Sequence, residues 1–152
     1  MKMYKKVLIV TIALSLVIPT LALQAQIKSP KQLVAEAKAS INWVTPRQAA
    51  EMMKTMPNLL VIDVRQGGEY HIGHIPGAIN IPRGLLEFRI TYVTKDPNRP
   101  ILVYCLTGGR ATLAVTSLEK MGYKKIYNLK GGFKNWQKEG LPVSRKPCDI
   151  GG

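Results

Sequence analysis

Residues 101–121, ILVYCLTGGRATLAVTSLEKM, set the fold of this 152-residue chain. The first four are a continuous apolar run, which is typical of a strand buried on both faces of a parallel sheet. From position 111 onward, apolar residues recur at helical spacing, and Gly122 follows as a residue type that commonly ends a helix. The stretch therefore predicts a buried strand, a tight glycine-containing loop and a helix.

The same alternation extends on both sides of this stretch. Apolar runs at 59–62, 78–81 and 126–129 predict three more strands. Strands that alternate with helices are typical of α/β domains. We therefore expect a single α/β domain with a central, mainly parallel sheet flanked by helices.

Two segments carry the sequence signal of a helix N-terminus. Each has a hydroxyl residue, Ser29 or Thr45, followed by a proline and then by a glutamine three residues after the hydroxyl. This is a capping box with proline at the first helical position. It predicts one helix through about Ser40 and another ending near Met56. In the second helix one face is apolar and is expected to pack on the core, through Ala49, Met52, Met53 and Met56.

Composition limits the classes of partner. Lys and Arg total 22 and Asp and Glu total 9, so the formal net charge is +13, while 46% hydrophobic residues exclude a disordered chain. Two cysteines are too few for a disulfide scaffold or a four-thiolate zinc site. The charge raises the question of nucleic acid, but the basic residues are dispersed and no nucleic-acid-binding motif accompanies them. We expect no nucleic-acid partner.

Residues 1–25 have the pattern of a secretory signal peptide. A basic start precedes an apolar run from Val7 to Ile18, and Ala25 is a small residue suited to cleavage. The alternative is an uncleaved membrane anchor, although a spanning helix needs about 20 apolar residues and Pro19 interrupts this run. Cleavage removes three lysines, leaving a charge of +10. We expect a periplasmic or otherwise exported protein that contacts membrane only if the segment is uncleaved.

The loop of residues 105–110 is the strongest candidate for chemistry. Ligands of open α/β sheets bind beyond the carboxyl ends of the strands, which is where Cys105 is predicted to lie. Gly108 and Gly109 allow the backbone to curl, so that its N–H groups and the following helix N-terminus attract an anion. These features predict a thiolate nucleophile in an anion-binding loop completed by Leu106, Thr107 and Arg110, the last as a fixed charge or as a brace. A buried cysteine that only packs is the alternative.

Four motifs in this order resemble the single-domain rhodanese family. Residues 105–110, CLTGGR, are similar to its active-site loop C-x-x-G-x-R, and residues 60–65, LVIDVR, to its strand ending in Asp-Val-Arg. Residues 69–82, EYHIGHIPGAINIP, and 127–143, YNLKGGFKNWQKEGLPV, are similar to its remaining two signatures. The resemblance implies a rhodanese-like domain over residues 43–143.

The activity follows from this resemblance, whereas the flanking segments lie outside it. Residues 26–42, with the capping box at Ser29, are interpreted as an N-terminal helical extension, and residues 144–152 as a flexible tail. The resemblance implies a sulfurtransferase in which Cys105 takes a sulfane sulfur from a small anionic donor such as thiosulfate. The resulting persulfide passes its outer sulfur to a thiol or to cyanide, with no metal and no organic cofactor.

Charged residues outside the loop are expected to support it. Asp63 ends a predicted strand and, by the resemblance, is expected to orient the loop, with Arg65 beside it. Arg65 and Glu69 are four residues apart and are expected to pair with each other. His74 lies in a Gly-His-Ile-Pro-Gly turn and is expected to be a structural hydrogen-bonding residue, whereas His71 is expected to be exposed.

The loop is also compatible with functions other than sulfur transfer. Cysteine phosphatases and some arsenate reductases place five residues between Cys and Arg, whereas here four separate Cys105 from Arg110. The smaller ring is better suited to a persulfide than to a tetrahedral oxyanion. A persulfide carrier and a non-catalytic module that binds sulfur or an anion would use the same loop. Cys148 is interpreted as incidental, with a resolving or disulfide-forming role as the alternative.

Overall fold

The computed structural model describes residues 27–38 and 41–145. The predicted signal peptide and Cys148 lie outside these residues. Among the helices of the described part, none is both long enough and apolar enough to cross a bilayer.

A five-stranded parallel sheet forms the centre of the domain, in the order β1-β5-β4-β2-β3. All four predicted strands are present, and the predicted α/β fold is confirmed. The additional strand, β1, pairs with β5 at the edge of the sheet. The strands are β1 (Asn42–Val44), β2 (Leu60–Asp63), β3 (Ile79–Asn80), β4 (Ile101–Tyr104) and β5 (Ile126–Leu129).

In the part of the chain that the structure describes, six helices and a short 3-10 turn at Arg83–Leu85 flank or connect the strands. Both predicted capping boxes form, with Ser29 and Thr45 as the caps. The first helix ends at Ala37, earlier than the predicted Ser40, because the chain must be extended from Asn42 onward to pair with β5. The helices are α1 (Pro30–Ala37), α2 (Pro46–Thr55), α3 (Gly67–Ile72), α4 (Leu86–Val93), α5 (Gly109–Lys120) and α6 (Gly132–Lys138).

The sheet separates two hydrophobic cores. On one face, α4 and α5 cover residues such as Ile62 and Val103. On the other face, α2 and α6 cover residues such as Val61 and Leu102. All four residues of β4 are buried, as expected for a central parallel strand. The carboxyl end of β4 is thereby held rigidly between its neighbours β2 and β5, and Cys105 follows directly.

Pairing of the backbone continues into the predicted flexible tail. Ser144 exchanges two hydrogen bonds with His74, its N–H lying 2.9 Å from the His74 carbonyl oxygen and its carbonyl oxygen 2.9 Å from the His74 N–H. The first residue of the predicted tail is therefore paired with a residue that lies 70 positions earlier in the chain. Residues 146–152 of that tail lie outside the described residues, so its flexibility stays a prediction.

Candidate active site

Cys105 lies at the base of a loop that connects β4 to α5. Its side chain is 1% exposed, and the Gly108 N–H donates to its Sγ at 3.1 Å. Gly108 adopts a φ of +106°, which glycine tolerates and which directs this N–H back toward the sulfur. The sequence predicts several N–H donors, and in the described residues Gly108 supplies the one that reaches Sγ.

Side chains beneath the loop fix the Gly108 peptide. The Gly108 carbonyl oxygen accepts from the Thr112 N–H at 2.8 Å and from the Thr112 hydroxyl at 2.9 Å. Asn128 of β5 donates its side-chain amide to the same hydroxyl at 3.1 Å. Since Thr112 and Asn128 are fully buried, these bonds lie away from solvent and keep the orientation of the loop.

The first residues of α6 hold the other side of the loop. The Phe133 N–H donates to the Cys105 carbonyl oxygen at 2.8 Å, and the Lys134 N–H donates to the Leu106 carbonyl oxygen at 3.0 Å. Gly132 has a φ of +61°, and a Cβ there would collide with the Cys105 carbonyl oxygen. Sequence reasoning from the loop alone missed this contact. The Gly131-Gly132 pair before an amphipathic helix is the signal that points to it.

Arg110 braces the loop against α3. Its Nη1 and Nη2 each lie 2.8 Å from a different oxygen of the Glu69 carboxylate. The predicted pairing of Arg65 with Glu69 is wrong, because Arg65 precedes the start of α3 at Gly67 and is not on the same helical face. The hydrogen bonds from Arg110 lower the pKa of Glu69 from its ordinary 4.5 to about 2. The ion pair therefore persists at neutral pH.

Arg65 instead bonds to Asp63 in a buried pair. Arg65 Nη2 lies 2.6 Å from Asp63 Oδ2 and 2.6 Å from the Gly73 carbonyl oxygen. The guanidinium carbon lies 4.2 Å from the centre of the Phe133 ring. The Asp63 carboxylate accepts hydrogen bonds from the backbone N–H and from the guanidinium of Arg65. That Asp63 orients the loop stays a prediction, and the contact of Arg65 with Phe133 of α6 offers a route for that effect.

The two histidines lie outside this bonding network. His74 is buried, with its Nδ1 2.9 Å from the Tyr70 carbonyl oxygen and its ring stacked on the Tyr70 ring. His71 is exposed. Both predictions are confirmed. No group of three or more His, Cys, Asp or Glu side chains suited to a metal ion occurs within residues 27–38 and 41–145.

Two cavities open beside the loop. One, of about 310 Å³, is lined by Leu106, which is 41% exposed, together with Arg65 and Phe133. The other, of about 460 Å³, is lined by residues 107–109 and by α1. Of the predicted loop residues, Cys105 and Gly108 are therefore buried at the base, while Leu106 and Thr107 face the solvent.

The pair between Glu69 and Arg110 predicts a pH-dependent contribution to stability. A lowered pKa in the folded state means that the contribution is full above pH 4.5 and disappears as the pH falls toward 2. Glu69→Gln should lower the free energy of unfolding by about 1 kcal/mol at pH 7, and by progressively less as the pH falls below 4.5. Urea unfolding of parent and variant across this range measures the difference. Glu36→Gln, which breaks an exposed pair with Lys28, is the control; an equal, pH-independent cost for both variants would contradict the prediction.

Comparison with known proteins places this geometry in a family. The model of the rhodanese-like domain matches residues 45–139. A thiosulfate sulfurtransferase of Actinobacillus succinogenes is 32% identical over 101 residues, covering 66% of this chain and 87% of that protein. The solved polysulfide-sulfur transferase homodimer of Wolinella succinogenes is 33% identical with a TM-score of 0.67, covering 80% of this chain and 90% of that one.

A second solved structure shares the fold under a different description. It is a Rhodopseudomonas palustris protein of unknown function, described as a possible tyrosine phosphatase. It is 29% identical with a TM-score of 0.70, covering 80% of this chain and 98% of that one. The family match and the sulfurtransferase relative support sulfur transfer as the general activity. With a matching family model over most of its described residues, the chain belongs to the rhodanese-like domain family.

Proposed function

We propose that this protein transfers a sulfane sulfur from thiosulfate to a thiol or cyanide through a persulfide on Cys105. In the first step the Cys105 thiolate attacks the outer sulfur of thiosulfate. A bond forms between Sγ and that sulfur, the sulfur–sulfur bond of thiosulfate breaks, and its electron pair leaves with sulfite. In the second step the acceptor attacks the outer sulfur of the persulfide, and Cys105 leaves as thiolate.

The single observation that carries the proposal is the hydrogen bond from the Gly108 N–H to Cys105 Sγ, at 3.1 Å. Thr112 and α6 hold the loop from opposite sides, so this donor is fixed before a substrate arrives. A donor already oriented stabilises negative charge without reorganisation during the reaction. The thiolate and the persulfide anion are both negative at this position, so the same N–H supports both states.

The environment of Arg110 favours sulfur transfer over phosphate chemistry. Both of its terminal nitrogens donate to Glu69, so the two-pronged fork that would bind a phosphate is already occupied by a carboxylate, although Cys105 is also near enough to help raise the pKa of Arg110. The spacing of four residues between Cys105 and Arg110 agrees with this assignment. We expect no Cys105-dependent hydrolysis of an aryl phosphate, and the appearance of such hydrolysis would favour the phosphatase alternative.

Mass spectrometry tests the persulfide directly. The full chain is incubated with thiosulfate, and the peptide containing Cys105 is expected to gain one sulfur atom. Added cyanide should then remove that atom as thiocyanate, with many turnovers per protein molecule. A single turnover would indicate a persulfide carrier in place of an enzyme, and a peptide that gains no sulfur would contradict the mechanism.

Export of the enzyme is a separate part of the proposal. The basic start, the short apolar run and Ala25 support cleavage by a signal peptidase and a periplasmic location. N-terminal sequencing of the protein purified from cells should begin at Gln26. An intact Met1 would support the membrane-anchor alternative.

A further inference from the structure

The larger cavity beside the catalytic loop is built partly by the N-terminal extension. It measures about 460 Å³, and its wall includes Val34 of α1 and Lys38, the residue that caps the C-terminus of α1. The remaining wall comes from Trp43 of β1, loop residues 107–109 and residues 130–131. α1 precedes residues 45–139, so this part of the wall comes from outside the region that the family model matches.

The cavity adjoins the atoms that hold the reactive sulfur. Gly108 lines it and also donates its N–H to Cys105 Sγ. Gly109 lies so near α1 that a Cβ added there would be 3.9 Å from Val34 Cγ2. The extension and the catalytic loop are therefore direct neighbours, and a molecule in the cavity contacts both.

The lining combines positive charge with apolar surface. Lys38 and Lys130 both line the cavity, and no acidic residue does. Within the described residues, neither lysine is within ion-pair distance of a carboxylate. Val34 and the half-buried Trp43 supply the apolar surface. Such a lining complements a molecule with an apolar body and an anionic group.

We infer that this cavity binds the sulfur acceptor, a small thiol with an apolar body and a carboxylate, and that Lys38 at the end of α1 selects the charge of that acceptor. The inference rests on the proposed function. An inorganic donor such as thiosulfate has no apolar part and is small for a cavity of this volume. In the transfer, the acceptor thiolate forms a bond with the outer persulfide sulfur, the bond to Sγ breaks, and Cys105 retains the electron pair as thiolate.

A matched pair of acceptors tests the charge selection. Dihydrolipoate and dihydrolipoamide share one apolar dithiol chain, which ends in a carboxylate in the first and in a neutral amide in the second. After transfer, the second thiol displaces sulfide and closes a cyclic disulfide, so released sulfide reports turnover with thiosulfate as donor. Lys38→Glu should raise the KM for dihydrolipoate about three- to tenfold and leave that for dihydrolipoamide unchanged.

Lys31→Glu is the matched control, because Lys31 is exposed on the same helix and does not line the cavity. It makes the same change in net charge and should leave both KM values unchanged. If both variants raised the KM for dihydrolipoate equally, only the net charge of the protein would matter. If Lys38→Glu raised the KM for both acceptors equally, Lys38 would not discriminate between a charged and a neutral acceptor. Either result overturns the inference.

Binding measured without turnover separates this inference from the proposed function. In Cys105→Ala no persulfide forms, yet dihydrolipoate should still change the fluorescence of Trp43, and Trp43→Phe in that background should remove the change. The other tryptophan, Trp136, is buried and does not line the cavity. If the parent protein bound dihydrolipoate but gained no sulfur on Cys105 from thiosulfate, the result would count against the persulfide mechanism alone, whereas absence of the fluorescence change would count against the acceptor site.

Discussion

Cys105→Ala is expected to abolish sulfur transfer, with a rate that falls at least about a thousandfold. Both steps require a bond to Sγ, and Gly108 directs its N–H to that one atom. Alanine leaves the loop without a nucleophile but fits the same buried space. Thiocyanate formation from thiosulfate and cyanide measures the loss, while urea unfolding should show a variant that still folds.

The second cysteine of the sequence provides the matched control. Cys148 lies outside the described residues and is interpreted as incidental. Cys148→Ala should therefore form thiocyanate at the parental rate. If Cys105→Ala remained as active as the parent, the persulfide mechanism would be wrong; if Cys148→Ala lost activity as well, Cys148 would have a resolving role.

Gly132→Ala is expected to have the largest effect on stability, a cost of about 2 to 4 kcal/mol. The φ of +61° is strained for any residue with a Cβ, and that Cβ would also collide with the Cys105 carbonyl oxygen and lie 2.8 Å from the Leu106 carbonyl. Both obstacles are backbone atoms, so they move only if the catalytic loop moves. The variant should lose stability in urea unfolding and sulfur transfer activity together.

Gly140→Ala separates backbone strain from collision. Gly140 has a similar φ of +69°, but a Cβ there would meet no atom within 4 Å. We expect backbone strain alone to lower the free energy of unfolding of this variant by about 1 kcal/mol, and we expect its sulfur transfer activity to be retained. Equal stability losses for the two variants would show that the contact between α6 and the loop does not constrain Gly132.

Elements with a local signal could be predicted from the sequence. The apolar runs predicted β2 and β4 because a strand buried on both faces needs apolar residues at every position. The capping boxes predicted the starts of α1 and α2 because their hydrogen bonds join residues three apart. By contrast, β1 has only three residues, and only its pairing with β5 makes it a strand.

Partners of charged side chains could not be predicted in the same way. The four-residue spacing favoured Arg65 as the ion-pair partner of Glu69. In the fold, however, Glu69 pairs with Arg110, which lies 41 residues later in the chain, and Arg65 pairs with Asp63. A four-residue spacing implies contact only when both residues lie in one helix. The support of the loop by α6 was missed for a related reason, since backbone N–H groups carry no residue-specific signal.

Residue order along the chain is enough to predict the α/β class, the position of Cys105 after a buried strand and the glycines of its loop. These follow from local composition, because burial, capping and backbone freedom are properties of neighbouring residues. The groups that hold the loop are known only from the folded chain, with Glu69, Thr112 and α6 coming from separate parts of it. Folding also places α1 beside the loop, because contacts between distant segments depend on how the helices pack against the sheet.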